Sequence, residues 1–143
     1  MLFPKKVKYR KWQRGREHPE KLANRKATRG VTVAFGSFGM KAMPGARIRS
    51  NQIEAARRVI SRTVGKNGRV WIRIFPDRPW TQKAAEVGMG KGKGDLQGYE
   101  FEVLPGRLIF EIDGVSEEIA RQAITKAGKK LPIKIRAITR DEQ

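Results

Sequence analysis

The first thirty residues constrain the fold most, because they have little to put into a core. Residues 1–30 hold eleven basic side chains (Lys5, Lys6, Lys8, Arg10, Lys11, Arg14, Arg16, Lys21, Arg25, Lys26 and Arg29) against two acidic ones, Glu17 and Glu20. No helical or strand-like apolar period is sustained through them. Such a stretch buries too little apolar surface to offset the chain entropy lost on ordering. It is expected to be an extension that folds against a partner, and the core must come from residues 31–143.

The charge indicates what kind of partner. The chain has 32 Lys and Arg against 14 Asp and Glu, a formal net charge of +18. A single small domain carrying that excess repels itself unless a polyanion neutralises it. Nucleic acid and an anionic membrane surface are the two candidates, and a merely solvated basic face is the bland alternative. No apolar stretch approaches the roughly 20 residues that span a bilayer, and Met1-Leu2-Phe3-Pro4-Lys5-Lys6 lacks the apolar centre of a signal peptide. There is no cysteine, so disulfides and thiolate metal sites are excluded and a cytoplasmic location is the default. Nucleic-acid binding without a membrane is therefore expected. Lys5, Lys6, Lys8, Arg10, Lys11, Arg14 and Arg16 are the phosphate-binding candidates of the extension. Phe3, Tyr9 and Trp12 lie among them and can either stack on bases or dock on the body.

Residues 31–143 are patterned for one α/β domain. Val31, Val33 and Phe35 alternate with Thr32 and Ala34, which predicts a strand ended by Gly36-Ser37-Phe38-Gly39. Residues 40–49 suit a loop or short strand. Ser50-Asn51 opens a helix, with Asn51 and Glu54 spaced as a capping box. Its apolar face is Ile53, Ala56, Ile60 and Val64; Arg57, Arg58 and Arg62 lie largely opposite, and Gly65 ends it. From Arg69 to Phe75 a strand alternates Val70, Ile72 and Ile74 with Arg69, Trp71, Arg73 and Phe75. The second set mixes cations with aromatics, which suits RNA, although Trp71 and Phe75 suit a second packing surface at least as well.

Pro76-Asp77-Arg78-Pro79 breaks that strand. Residues 76–98 hold five glycines and predict a long glycine-rich loop. Phe101 and Val103 begin a strand, Pro105-Gly106 turns it, and Leu108, Phe110 and Ile112 alternate in the next. Ser116-Glu117-Glu118 starts a second helix with acids matching its dipole. Ile119, Ala120, Ala123, Ile124 and Ala127 form its stripe. Ile133, Ile135 and Ala137 alternate in a last strand. The order is strand, helix, strand, strand, helix, strand. It implies an α+β two-layer sandwich of mainly antiparallel sheet with two helices, plus the basic extended N-terminal segment.

No catalytic set is visible. His18 is the only histidine and lies in the extension, so no nucleophile–base–orienter arrangement can be built on it. Asp77, Glu86 and Asp95 have no spacing that demands a metal. Gly88-Met89-Gly90-Lys91-Gly92-Lys93-Gly94 fails the phosphate-loop template, because no Ser or Thr follows either Gly-Lys. It also fails the dinucleotide fingerprint, because its third glycine is out of register. What remains is a strip of free backbone N–H groups and two lysines, either an RNA contact or a plain mobile loop.

Several stretches carry a resemblance. Met1–Lys5 with Tyr9-Arg10-Lys11, Val33–Gly36, Gln52–Arg57, Val70–Asp77, Met89–Gly94 and Lys130–Lys134 stand in the order and spacing of the bacterial large-subunit ribosomal protein L-sixteen family. The likeness covers essentially the whole chain. It implies an α/β sandwich with a basic extension that binds large-subunit ribosomal RNA near the peptidyl-transferase centre. It also implies contacts to aminoacyl-site tRNA, with peptidyl-site tRNA left open, to neighbouring large-subunit proteins, and a part in late subunit assembly. Neither a cofactor nor a small-molecule substrate is implied.

On this view Met89, Gly90, Lys91, Gly92, Lys93 and Gly94 project toward RNA, with Arg78 and Lys83 as weaker candidates. Arg57, Arg58, Arg62, Arg69 and Arg73 would face ribosomal RNA from the body. The family usually has arginine where this chain has Gly88, so that cation does not carry over. Residues 17–30 also look longer than in many relatives. Two rival classes remain, a general nucleic-acid architectural module and an RNA-modifying enzyme. The second has no visible catalytic residues.

Overall fold

The structure is a computed structural model describing residues 1–15 and 17–143. Residues 38–139 form an α+β sandwich. In chain order the elements are α1 (Pro19–Asn24), β1 (Phe38–Ala42), β2 (Ala46–Arg49), α2 (Ser50–Val64), β3 (Arg69–Ile72), β4 (Arg78–Gln82), β5 (Asp95–Val103), β6 (Leu108–Asp113), α3 (Glu117–Gly128) and β7 (Ile135–Thr139), closed by a 3₁₀ turn at Arg140–Glu142.

The strands form two antiparallel sheets. One has the order β3-β6-β1-β7 and the other β2-β5-β4. The Pro105-Gly106 turn, with Gly106 at φ 93°, carries the chain from one sheet to the other. Helices α2 and α3 pack on each other and on the four-stranded sheet. Ile53, Ala56, Ile60 and Val64 of α2, with Ala123, Ile124 and Ala127 of α3, close over Met40, Phe110 and Ile112. The helical faces follow the i, i+3, i+7 spacing of these residues. Ile119 is the exception: it is 40% exposed and stands outside the stripe that its spacing suggests.

Four local expectations are corrected. Residues 31–35 form no strand. The N–H groups of Ala34, Phe35 and Gly36 all donate to the Glu111 carboxylate of β6, at 3.0, 2.6 and 2.8 Å. A segment whose consecutive donors converge on one carboxylate cannot also offer them to a ladder. Gly36 is needed for the close approach, since a Cβ there would lie 2.6 Å from the Ile112 carbonyl oxygen. The first strand instead begins at Phe38, within the tetrad expected to end it, and two strands occupy most of residues 40–49.

At the start of α2 the cap is Arg49, not Asn51. Gln52 at the third helical position accepts from the Arg49 N–H at 3.0 Å, and Glu54 turns to Arg57 and Arg58 instead. The β3 ladder ends at Ile72, before Phe75. Finally, the irregular part of residues 76–98 shrinks to 83–94, because β4 and β5 take up both ends. Pro79 breaks the alternation yet sits within β4. That strand is a sheet edge, where a missing N–H removes no necessary ladder bond.

Candidate nucleic-acid interface

The outer face of the β2-β5-β4 sheet is a lattice of arginines around two glutamates. Register places Arg49 and Arg78 on either side of Glu100. Arg47 and Arg78 approach Glu100 at 3.7 and 3.9 Å; Arg78 also reaches Glu102 at 3.6 Å, and Arg25 reaches it at 3.5 Å. The extension lies over this face. The Ser50 hydroxyl donates to the Leu2 carbonyl, Trp12 packs under the Arg78 guanidinium at 5.8 Å, and Lys93 donates to the Trp12 carbonyl. Trp12 therefore docks on the body, whereas Tyr9 stays 63% exposed. Helix α1 starts with Pro19 in its first turn, and His18 Nδ1 accepts from the Glu20 N–H at 3.4 Å, so this histidine has a capping role.

Lys5, Lys6, Lys8, Arg10 and Arg14 are exposed, Lys11 is half-buried, and none of the six makes an ion pair among the described residues. Arg16 lies outside the described residues. The pattern extends to every lysine described: the ion pairs within the chain use arginine or, once, His18, and none uses lysine. Arginine's planar fork suits fixed pairing with carboxylates, while lysine's mobile ammonium stays available to external anions.

Residues 83–94 join β4 to β5. All of them except Lys83 and Gly94 are exposed, and Met89 is 98% exposed. Gly90, Lys91 and Gly92 have φ of 100°, 58° and 95°, three successive left-handed residues that only glycines on both sides of Lys91 make inexpensive. Lys83 ties back to the Gly90 carbonyl and Lys93 to the Trp12 carbonyl. The loop is thus joined to the extension, and Lys91 is exposed. Asp77, Glu86 and Asp95 do not gather with it, and no group of three or more acidic or histidine side chains placed to hold a metal ion occurs among the described residues.

The body candidates divide. Arg57 and Arg58 both pair with Glu54, at 2.6 and 3.2 Å. The Arg57 hydrogen bond is the main cause that holds the Glu54 carboxyl down at about 2. Arg62 and Arg69 are exposed. Arg73 turns inward onto Glu111, and its guanidinium lies 5.0 Å from the Phe35 ring. Phe35 stacks on Trp71 at 6.3 Å, so Trp71 packs within the chain, as its alternative reading allowed.

Two structural residues lay outside the sequence reading. Glu111 is wholly buried. Burial pushes its carboxyl up, but the Ala34, Gly36 and Phe35 N–H groups and Arg73 together hold it below the ordinary value. Arg107 donates to the carbonyls of Arg29 and Arg73 at 3.0 and 2.8 Å, tying the end of the extension to the residue that follows β3. A glutamate inside the apolar run Leu108–Ile112 was the visible signal for the first; Arg107 had none.

Against protein-family models, the chain matches ribosomal protein L16p/L10e over residues 4–138. The chain belongs to that family. As an L16p/L10e protein it is a structural constituent of the large ribosomal subunit, binding that subunit's RNA and neighbouring proteins. The matched range spans most of the extension, the arginine lattice and the 83–94 loop. No helix among the described residues is long and apolar enough to cross a membrane.

Proposed function

We propose that this L16p/L10e chain lies beside the peptidyl-transferase centre, with residues 83–94 against aminoacyl-site tRNA and peptidyl-site tRNA as a second neighbour. Residues 1–26 thread ribosomal RNA, and both contacts help late assembly of the subunit. Arg62, Arg69 and Arg49 add phosphate contacts from the body. Catalysis belongs to RNA; the protein neutralises phosphates and fixes positions.

The observation that carries this reading is the joining of loop and extension. Lys93 donates to the Trp12 carbonyl, so two lysine-bearing segments far apart in sequence lie together, with Lys91 exposed in the loop. Exposed backbone N–H groups around glycines let a phosphate approach closely without any reading of sequence. Because Gly88 stands where the family usually has arginine, this reading rests on Lys91 and Lys93 as the cations of the glycine-lysine strip.

The test is tRNA binding by large subunits reconstituted with the Lys91→Ala/Lys93→Ala protein. Subunits that incorporate it one-to-one should hold aminoacyl-site tRNA about fivefold or more weakly, the expected loss for charge-assisted contacts. Unchanged affinity at full incorporation would exclude the loop from tRNA.

A further inference from the structure

Phosphate neutralisation leaves one cavity on the β2-β5-β4 sheet unexplained. Met1, Phe3, Arg49, Trp80, Gly98 and Tyr99 line an open hollow of about 360 Å³, mostly apolar and aromatic. The Arg49 guanidinium lies over the Trp80 ring, 4.0 Å from its centroid. Phe3 is 59% exposed, although a phenylalanine in an extension gains nothing by facing water. The Ser50 hydroxyl holds the Leu2 carbonyl, so Phe3 is kept next to the hollow. At Gly98 a Cβ would come within 3.0 Å of Trp80 Nε1, so glycine lets the indole lie close along β5.

We propose that this hollow receives one unstacked nucleobase of the bound RNA. The inference rests on the RNA-binding reading above and adds the kind of contact made. A flat heteroaromatic ring matches the lining, which brings together the aromatic side chains of Phe3, Trp80 and Tyr99 and the guanidinium of Arg49, residue types that stack on bases. The amides of Asn51 and Gln97 border the same space and can donate to or accept from a base edge. Lys5 and Lys6 follow Phe3 directly, which supplies cations for the flanking phosphates. A neutral apolar side chain from a protein partner would use the aromatic walls but neither the guanidinium nor the +18 field.

The test uses the full-length chain carrying Trp12→Phe and Trp71→Phe, so that Trp80 is the only indole left. It is titrated with a mixed-sequence RNA hexamer and with an abasic hexamer of the same backbone, at one salt concentration. The base-bearing hexamer should quench Trp80 and bind about tenfold more tightly than the abasic one. Phe3→Ala, a change in the exposed extension, should collapse that difference, and Arg49→Lys should reduce it while keeping the charge. Equal binding of the two hexamers, or a difference that survives Phe3→Ala, would overturn the inference while leaving charge-driven RNA binding intact. If neither hexamer bound, the RNA-binding reading would fail as well.

Discussion

Glu111 sits in the middle of β6 with no exposed surface, and three consecutive backbone donors and one guanidinium converge on it. It organises residues 32–36, which otherwise have no ladder to join. Replacing it by alanine removes the acceptor of Arg73 and of three N–H groups, of which the Gly36 N–H is buried and the others part-buried. Glu111→Ala is expected to cost about 3–5 kcal/mol in urea unfolding, and Glu111→Gln distinctly less. The carboxyl is held below its ordinary value in the folded chain, so its stabilisation is complete above the unfolded value near 4.5 and is lost as pH falls through the folded value. Glu54, held at about 2, acts in the same direction and the same acidic window. Melting temperatures from pH 6 to pH 2 should therefore fall less steeply for Glu111→Gln than for the parent; parallel curves would show that the carboxylate is not ionised there. A glutamate within an apolar strand was visible in the sequence as an anomaly. Its backbone partners, about 75 residues away, were not, because sequence pattern carries no information on which distant donors a buried carboxylate gathers.

At the scale of elements, the apolar faces of α2 and α3 and the alternation of β6 were legible because burial imposes their period directly. The segment at 31–35 misled because alternation also occurs in a loop clamped over a sheet. Strands β4 and the first half of β5 were hidden because Pro79 and the glycines of an edge hairpin resemble breakers. The extension divides at a place that composition did not reveal. Ala27 donates to Pro105, and Leu108 donates to Gly30, at 2.9 and 2.8 Å, so residues 27–30 are stitched to the body. Removal of residues 1–24 should leave one cooperative melt while weakening RNA binding. Removal of residues 1–30 should in addition lower the melting temperature by several degrees, because Arg107 and the end of β6 lose partners. Equal melting of the two truncations would show that residues 27–30 contribute nothing to the body.

At the scale of the molecule, the ion-paired arginines tie the fold together, whereas no described lysine is in an ion pair and most are exposed. The net charge announced a polyanion, but only the folded arrangement separates cations already committed, such as Arg73 and Arg57, from those still free. For RNA binding, log K should fall linearly with log salt. Lys91→Ala/Lys93→Ala should make that slope shallower by about 1.5–2, with stability changed by no more than about 0.5 kcal/mol. An unaltered slope would mean that the loop lysines touch no phosphate. The loop's glycine content and its two lysines were plain in the sequence, whereas its anchoring to Trp12 was not. That anchoring holds the loop against the extension, which is what the proposed RNA contact relies on. The most direct measurement is photocrosslinking in assembled large subunits carrying a photoreactive residue at position 91, compared with one at Lys126 on α3. Position 91 should crosslink to aminoacyl-site tRNA or to the adjacent catalytic-centre RNA, and position 126 should not; crosslinks from position 91 to other RNA or protein alone would contradict the proposed location.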